Sequence, residues 1–172
     1  MTVVITELAR HHDRQNFDCG EPALNNFLQR LARQQAERDF NRTYVAASNG
    51  ESRVRGFYAM SSASIDFQNW PTGLRLPRYP VPVARIGRLA VDLREQGTGI
   101  GDALLRHAMH LGASLAEKIG LYAVVVDAKN AAVVAFYARY GFQRFPDQGL
   151  SLFLTTEVIR RALIAGTPGA PH

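Results

Sequence analysis

Hydrophobic and polar positions in the first part of the chain predict strands around one helix. Residues 2–8 are typical of an edge strand, and the segments TYVAAS and RVRGFYAMSSASI predict two more strands. The turn signal Asn49-Gly50 joins these two strands. In residues 22–38, apolar side chains recur on one helical face, which predicts a helix there.

The predicted helix has start signals, and the middle of the chain has signals that interrupt regular structure. Asp18 and Glu21 have the spacing of a capping box, in which side chains satisfy backbone N–H groups at a helix start. Pro22 suits the first helical turn. Residues 66–82 contain four prolines, which predict a loop that crosses the surface.

The second half of the chain alternates between strand and helix patterns. RIGRLAVD predicts a strand, and residues 100–118 predict an amphipathic helix. YAVVVDA, at 122–128, is a continuous apolar run and therefore predicts a strand that is buried on both faces. Residues 130–139 predict a short helix, followed by the strand LSLFLT and the helix TEVIRRALI. The order β-α-β-β-β-α-β-α-β-α predicts a mixed α/β sheet with helices packed on its faces.

Length and composition favour one globular domain. The chain has 172 residues, which predicts a single domain over 1–164 and a frayed tail over 165–172. It holds one cysteine and has neither a long apolar run nor a signal-peptide pattern. We therefore expect no disulfide framework, no membrane span and a cytoplasmic location. The formal net charge of +5 permits an acidic partner such as RNA but does not establish one.

A cluster of glycines lies between the strand RIGRLAVD and the helix at 100–118. Gly97, Gly99 and Gly101 would allow a ligand to approach the backbone at a helix start, where unpaired N–H groups and the helix dipole favour phosphate. A plain tight turn is the alternative. The cluster lacks the Gly-Lys-Ser/Thr of a Walker loop and the G-x-G-x-x-G spacing of a Rossmann fold.

The remaining pattern, Gln96-x-x-Gly99-x-Gly101, resembles the pyrophosphate-binding loop of the GNAT acetyltransferase family, and Arg94-x-x-Gly97-x-Gly99 fits the same pattern in an overlapping register. Asn130 and Tyr137, seven residues apart ahead of a Gly-Phe pair, resemble the second landmark of that family. The resemblance implies a GNAT fold, with a mixed, mostly antiparallel central sheet flanked by helices, and acetyl-CoA as the acetyl donor. The donor-binding residues that it implies are Leu89, Ala90, Val91, Arg94, Gln96, Gly97, Thr98, Gly99, Ile100, Gly101, Asn130 and Phe136.

A longer stretch of the chain resembles one group within this family. FDCGEPALNNFL, GFYAMSSASI, RYPVPVARIGRLAVD, VVVDAKN and FYARYGF are similar to the TacT/AtaT-like GNAT toxins of toxin–antitoxin modules. The resemblance implies acetylation of the α-amino group of aminoacyl-tRNA, which blocks translation. It also implies a ribbon-helix-helix antitoxin as partner and a homodimer. An acetyltransferase of a small amine or a protein N-terminus, and a non-catalytic module that binds CoA or a partner, remain alternatives.

Acetyl transfer needs a neutral amine and a proton for the departing thiolate. Tyr137 is the candidate general acid because a tyrosine with a pKa of about 10 stays protonated at neutral pH. The alternative is a packed aromatic residue, and Tyr140 is the other candidate acid, which its spacing from Asn130 disfavours. Asp92 and Asp127 are possible general bases, whereas Glu95 lies in the glycine loop, where a carboxylate would face the wrong ligand. The pKa of an α-amino group, about 8, lies below that of a lysine side chain and weakly favours an α-amine acceptor.

Arginines and histidines supply the last candidates. Arg75, Arg78 and Arg88 flank the proline-rich loop and the strand after it, and we predict that they grip an RNA acceptor. The alternative is a solvated charged surface. His107 and His110 lie one turn apart on a predicted helix, but no third ligand is evident, so we expect no metal site.

Overall fold

The computed structural model of the protein describes residues 2–146 and 149–165. Most of the predicted tail, residues 166–172, lies outside the described residues. The chain divides into two compact units. Unit 1 contains the residues up to Ser61 together with Gly87–Ala108, and unit 2 contains Ser62–Ile86 together with the residues from Met109 onward.

Unit 1 is built from antiparallel strands and the first helical segment. Strands β1 (Val3–Glu7), β2 (Arg42–Ser48) and the first part of β3 (Gly56–Ile65) pair in order, with Ile5 opposite Ala46 and Val45 opposite Phe57. The helical segment consists of α1 (Pro22–Asn26), a π-helical turn (Phe27–Leu31) and α2 (Ala32–Glu37). The predicted helix at 22–38 is confirmed, and the wider π turn within it was not foreseen.

The predicted capping box is wrong. Glu21 is the residue before the helix, and its side chain makes no capping hydrogen bond. The Asp18 carboxylate instead accepts hydrogen bonds from the Gly20 N–H, at 2.8 Å, and from the Asn25 amide, at 2.9 Å. A short polar side chain that bonds to backbone two residues ahead stabilises a turn as readily as a helix start, and here it forms the turn.

Unit 2 combines parallel and antiparallel pairing. The first part of β4 (Val81–Val91) runs parallel to β5 (Ala123–Asp127), and β7 (Ser151–Thr155) runs antiparallel to β5. The two-residue β6 (Gln143–Arg144) pairs with β7. Helix α4 (Ala131–Ala138) lies between β5 and β6 in sequence, and α5 (Thr156–Ile164) follows β7. The long helix α3 (Ile100–Lys118) precedes β5, and its residues divide between the two units.

The described strands form one seven-stranded sheet in the order β1-β2-β3-β4-β5-β7-β6. The prediction of a mixed, mostly antiparallel α/β sheet flanked by helices is confirmed. Strand β5 is buried along four of its five residues, as its apolar run predicted. Strand β6 was missed because two exposed residues carry no hydrophobic pattern. In the described part of the chain, no helix is long and apolar enough to cross a membrane.

The core of unit 1 explains why a glycine opens strand β3. Phe17, Phe27 and Phe57 are buried together, and the Phe27 and Phe57 rings stack with centroids 6.0 Å apart. A Cβ at Gly56 would lie 2.8 Å from Ile100 Cγ2 and 2.9 Å from a Leu104 methyl group. A larger residue would therefore push the first turns of α3 away from the sheet.

The core of unit 2 is centred on Trp70. Its ring makes edge contacts with Tyr122, Phe145 and Phe153, at centroid distances of 5.3, 4.9 and 4.8 Å. The indole N–H donates to the Ile65 carbonyl, at 3.4 Å. This aromatic cluster anchors the start of the proline-rich segment. The loop predicted over 66–82 is present up to residue 80, apart from a short 3-10 turn at Phe67–Asn69. Its predicted end is wrong, because β4 already begins at Val81 and includes Pro82.

Candidate active site

The glycine turn joins the end of β4 to the start of α3 in unit 1. Gly97 and Gly99 have φ values of +81° and +90°, in the left-handed region that L-residues other than glycine rarely adopt. A Cβ at either glycine would meet no heavy atom of the described residues within 4 Å. The space beside this backbone is therefore open to a ligand group.

The same turn leaves the start of α3 without a side-chain cap from its own N-cap residue. The Gly99 carbonyl accepts from the Ala103 N–H, at 3.0 Å, so Gly99 stands at the N-cap and has no side chain to bond to the first N–H groups. Helix starts of this kind present N–H donors and a positive dipole end to an anion. The start of α3 therefore offers N–H donors beside open space, as an anion site requires.

Asp92 lies between the end of β4 and the glycine turn, and its side chain binds neighbouring backbone and side-chain donors. Its side chain is 1% exposed and accepts hydrogen bonds from the Asp18 N–H, at 3.2 Å, and from the N–H and Nε of Arg94, both at 2.9 Å. Burial alone would raise the pKa of the Asp92 carboxyl, but these hydrogen bonds outweigh it and hold the pKa at about 2. The Asp92 carboxylate thus ties the end of β4 to the turn and to Asp18.

The polar residues of the turn are bound mainly to its own backbone and to a neighbouring loop. The Arg94 guanidinium bonds to Asp92 and donates to the Asn16 carbonyl, at 3.2 Å, while its side chain remains 54% exposed. Gln96 Nε2 donates to the Val91 carbonyl, at 3.5 Å. The predicted donor-binding residues from Leu89 to Gly101 thus form one continuous strand end, turn and helix start.

In unit 2, Tyr137 lies on α4 inside an aromatic group. Its side chain is 3% exposed, and its ring centroid lies 5.2 Å from Phe136 and 5.8 Å from Phe142. Burial, with a smaller effect of the nearby Asp127 charge, raises the pKa of the Tyr137 hydroxyl above its usual value of 10. The hydroxyl therefore keeps its proton at neutral pH, as a general acid must.

The two polar groups that flank α4 are engaged locally. Asn130 is its N-cap, and its Oδ1 accepts from the Val133 N–H, at 3.0 Å. Asp127 forms an ion pair with Arg85, at 3.0 Å, and accepts from the Ser151 hydroxyl, at 2.7 Å. Both Asp127 oxygens are therefore engaged by neighbouring side chains.

The three predicted acceptor-binding arginines lie in two different settings. Arg75 and Arg78 are exposed on the proline-rich loop. Arg88, on β4, is half-buried, with its guanidinium carbon 4.0 Å from the centre of the Phe27 ring, and burial lowers its pKa. The Phe27 ring occupies one face of this cation.

Sequence reasoning missed one polar contact in unit 1. Tyr58 is buried, and its hydroxyl lies 2.7 Å from His107 Nδ1, while Tyr44 stacks on Tyr58 with centroids 5.1 Å apart. In the sequence, the spacing of His107 and His110 indicates only a possible pair of metal ligands. Among residues 2–146 and 149–165, no group of three or more His, Cys, Asp or Glu residues could hold a metal ion.

The family model described as "Acetyltransferase (GNAT) family" matches residues 6–142. The chain therefore belongs to the GNAT acetyltransferase family, as the glycine turn and the Asn130–Tyr137 pair indicated. This membership makes it an N-acetyltransferase.

The chain is similar to toxins within this family. It is 38% identical over 144 residues to a tRNA-acetylating toxin of Mycobacterium tuberculosis, a match covering 83% of this chain and 85% of the relative. A structure of AtaT complexed with acetyl-methionyl-tRNAfMet is 30% identical, with a TM-score of 0.88 and coverage of 94% of this chain and 99% of AtaT. A tyrosine-to-phenylalanine mutant of AtaT, bound to the C-terminus of the antitoxin AtaR and acetyl-CoA, is 29% identical with a TM-score of 0.80, covering 94% and 98% of the two chains.

Proposed function

We propose that this protein is a toxin that transfers an acetyl group from acetyl-CoA to the α-amino group of aminoacyl-tRNA and so blocks translation. The observation that carries the proposal is the 38% identity to a tRNA-acetylating toxin along 83% of the chain. Matches of that extent include both family landmarks, the glycine turn and the Asn130–Tyr137 pair. The complex of AtaT with acetyl-methionyl-tRNAfMet supports the same class of acceptor.

For the donor, we assign the glycine turn to the pyrophosphate and the end of β4 to the pantetheine arm. Acetyl-CoA supplies an activated acetyl thioester. Gly97 and Gly99 keep the backbone open beside the turn, and the first N–H groups of α3 offer donors to phosphate oxygens. The backbone of Leu89, Ala90 and Val91 can bind the amide groups of the arm and polarise the thioester carbonyl. The family resemblance also assigns Asn130 and Phe136 to binding of the donor.

For the chemistry, we assign the proton donor to Tyr137. Formation of the new amide bond breaks the carbon–sulfur bond, and the departing sulfur needs a proton. Tyr137 holds that proton at Oη because burial keeps its hydroxyl neutral. The attacking α-amine is already neutral to a useful extent near pH 8. The proton that its nitrogen loses as the amide forms passes to water, so a strong protein base is not required. The engaged carboxylates of Asp92 and Asp127 agree with such a mechanism.

For the acceptor, we assign Arg75, Arg78 and Arg88 to the RNA. Arg75 and Arg78 are exposed and can neutralise phosphates directly, whereas Arg88 is partly covered by Phe27. Relatives of this kind also suggest an antitoxin partner, which we expect to be a ribbon-helix-helix protein, and we expect a homodimer in the cytoplasm. The structure of the AtaT mutant with AtaR supports the antitoxin partner.

The experiment that tests this function is incubation of the purified protein with labelled acetyl-CoA and a pool of charged tRNA. Uncharged tRNA and free amino acids are the controls. We expect label on charged tRNA alone, and the labelled species then identifies the preferred amino acid. Label only on small amines or protein N-termini would replace the acceptor. Bound acetyl-CoA with no transfer to any acceptor would indicate a non-catalytic module.

Two arginine variants test the RNA assignment. Replacing both Arg75 and Arg78 by glutamine should raise the Michaelis constant for charged tRNA. The slope of a plot of log KM against log salt concentration should fall by about 2, because each lost phosphate contact removes about one released counterion. An Arg30→Gln variant, on the exposed side of the first helical segment, is the matched control. An unchanged slope in the double variant would contradict the assignment.

A further inference from the structure

Glu95 is a residue of the glycine turn whose side chain does not face the turn. It ends the 3-10 turn Leu93–Glu95, and its carboxylate forms ion pairs with two arginines. One oxygen bonds to Arg55, and the other lies 3.1 Å from Arg53. The Glu95 and Arg55 side chains are each 13% exposed, so water screens this pair far less than it screens a surface ion pair.

Arg55 is held in place by contacts that do not involve Glu95, among them an ion pair with Glu51 at 3.6 Å. Arg53 and Arg55 flank the buried Val54 and so lie on the same side of an extended segment. The Arg55 N–H donates to the Ala46 carbonyl of β2, at 2.8 Å, and its carbonyl accepts from the Asp92 N–H, at 2.9 Å. Arg55 is therefore bound to the sheet by its backbone and to Glu95 by its side chain.

The backbone of Glu95 continues this connection into the glycine turn. Its carbonyl accepts hydrogen bonds from both the N–H, at 3.2 Å, and the hydroxyl of Thr98. Thr98 lies between Gly97 and Gly99, the two residues with positive φ. One residue thus links the sheet, through its side chain, to the middle of the glycine turn, through its carbonyl.

We propose that Glu95 is a positioning residue for the donor site, and that the Arg53–Glu95–Arg55 cluster sets the glycine turn in the shape that receives the pyrophosphate of acetyl-CoA. This inference rests on the donor part of the proposed function and not on the identity of the acceptor. Gly97 and Gly99 make the turn adaptable and contribute no side-chain contact that would hold it in one shape. The pairing of Glu95 with Arg53 and Arg55 adds a restraint from a neighbouring segment of the chain.

The charge of the cluster also suits an anionic ligand. A lone carboxylate beside a pyrophosphate would repel it. Arg53 and Arg55 neutralise Glu95, and Glu51, 3.6 Å from Arg55, balances the second arginine. The hydrogen bond from Arg55 keeps the Glu95 carboxyl ionised by lowering its pKa more than burial raises it. Removing the Glu95 carboxylate would take away the counter-charge that Arg53 and Arg55 share and leave Arg55 paired with Glu51, at 3.6 Å, so the two cations would move apart.

The experiment compares a complete donor with a truncated one. Acetyl-CoA and S-acetylpantetheine carry the same thioester, but only acetyl-CoA has the pyrophosphate and nucleotide. Binding of each to wild type and to Glu95→Gln is measured by calorimetry, together with kcat and KM for acetyl transfer. We expect Glu95→Gln to weaken acetyl-CoA binding and raise its KM by about tenfold, to leave S-acetylpantetheine binding unchanged, and to leave kcat at saturating acetyl-CoA within about twofold.

Two further variants separate positioning from general destabilisation. Glu37→Gln makes the same chemical change in the exposed Arg33–Glu37 pair of α2 and should alter none of these constants. Arg53→Gln leaves the Arg55–Glu95 pair in place, so it should fold even if Glu95→Gln does not and should weaken acetyl-CoA binding by about threefold. Arg55→Lys keeps the charge and should behave more like wild type than Glu95→Gln does.

Several results would overturn the proposal. Equal losses for the two donors would show that the cluster stabilises the whole unit and not the pyrophosphate site. Wild-type acetyl-CoA affinity in both Glu95→Gln and Arg53→Gln would show that the turn keeps its shape without the cluster. Acetyl-CoA binding is measured without any acceptor. If wild type fails to acetylate tRNA, the proposed acceptor is wrong, but the binding measurements still test the role of Glu95.

Discussion

Helices α3 and α4 both follow a strand and a short turn, yet their first turns are built in opposite ways. Helix α4 begins after Asn130, whose side chain bonds to the Val133 N–H and closes the helix start. Helix α3 begins after Gly99, which has no side chain, and the backbone beside it faces open space among the described residues. A helix start with a side-chain cap has used one of its donors, whereas a glycine start leaves that donor for a ligand.

The difference indicates that the two helix starts have different roles. The start of α3 is suited to binding, and the supports around it are charged groups: Asp92 with Arg94, and Glu95 with Arg53 and Arg55. Helix α4 is suited to holding one side chain still, because its capped start and its packed aromatic residues fix Tyr137. Substitutions on the two helices should therefore change different measured quantities.

The largest effect should come from Tyr137 on α4. Tyr137→Phe removes only the hydroxyl, and we expect kcat to fall by about 100-fold while the dissociation constant of acetyl-CoA stays within about twofold. The buried Tyr140→Phe variant, which removes a hydroxyl from the same helix end, is the matched control and should retain most activity. Normal turnover of Tyr137→Phe would remove this tyrosine from the mechanism. Transfer rates at saturating acetyl-CoA and calorimetric binding provide both measurements.

The next largest effect should come from Asp92, which precedes α3, and it should depend on pH. The measured quantity is the free energy of unfolding. Its pKa of about 2 lies below the ordinary 3.8, so the ionised carboxylate stabilises the fold fully above about pH 4, and this contribution is lost as pH falls towards 2. We expect Asp92→Asn to lower the free energy of unfolding at pH 7 by about 2 kcal/mol. Urea unfolding from pH 7 to pH 2 measures both proteins.

The difference between wild type and Asp92→Asn should shrink through the acidic range, because the variant has no carboxylate to protonate at this position. Other carboxyls titrate in both proteins and cancel in the difference. A difference that is constant between pH 7 and pH 2 would show that the loss comes from packing and not from the charge of Asp92.

A smaller effect should come from Gly99. Gly99→Ala forces an L-residue into a φ near +90°, and we expect acetyl-CoA affinity to fall by about tenfold with a stability loss of about 1 kcal/mol. Gly141→Ala is the matched control, since Gly141 has a φ of +96° and an alanine there would meet only an ordinary contact with Leu154. We expect both variants to lose a similar free energy of unfolding, but only Gly99→Ala to lose acetyl-CoA affinity. An equal loss of affinity in Gly141→Ala would show that backbone strain alone weakens binding.

The smallest effect should come from the α4 cap. Asn130→Ala removes the hydrogen bond to the Val133 N–H and should lower the free energy of unfolding by about 1 kcal/mol. Asn130→Asp should restore the cap, because aspartate caps helices as well as asparagine does. Chemical unfolding measures both. An Asn130→Asp variant that is stable but binds acetyl-CoA poorly would show that the amide also contacts the donor, as the family resemblance implies.

The sequence predicted the elements well where their patterns are long. The bounds of α3 agree with the prediction at both ends, because its apolar positions repeat over five turns and a glycine cluster precedes it. The π turn at Phe27–Leu31 was missed because one extra residue per turn barely disturbs a helical pattern. The wrong capping box at Asp18 has a related cause, since the same spacing serves a turn as well as a helix start.

The candidate site was predictable only as separate pieces. The glycine turn and Tyr137 carry motifs that short stretches of sequence contain. The pairing of Glu95 with Arg53 and Arg55 joins residues 42 and 40 positions apart, and nothing local indicates that these segments meet. The alternation Arg53-Val54-Arg55 was a weak signal, because two charges on one side of a buried valine need an opposite charge or water. The contact between Arg88 and Phe27 left no signal at all.

Trp70 gives this protein a built-in optical probe. It is the chain's only tryptophan, and its indole lies in the aromatic cluster of unit 2 with Tyr122, Phe145 and Phe153. Its fluorescence therefore reports the unfolding of that unit, while circular dichroism averages over the whole chain. Coincidence or separation of the two transitions tells directly whether the molecule melts cooperatively, without a label or an engineered residue.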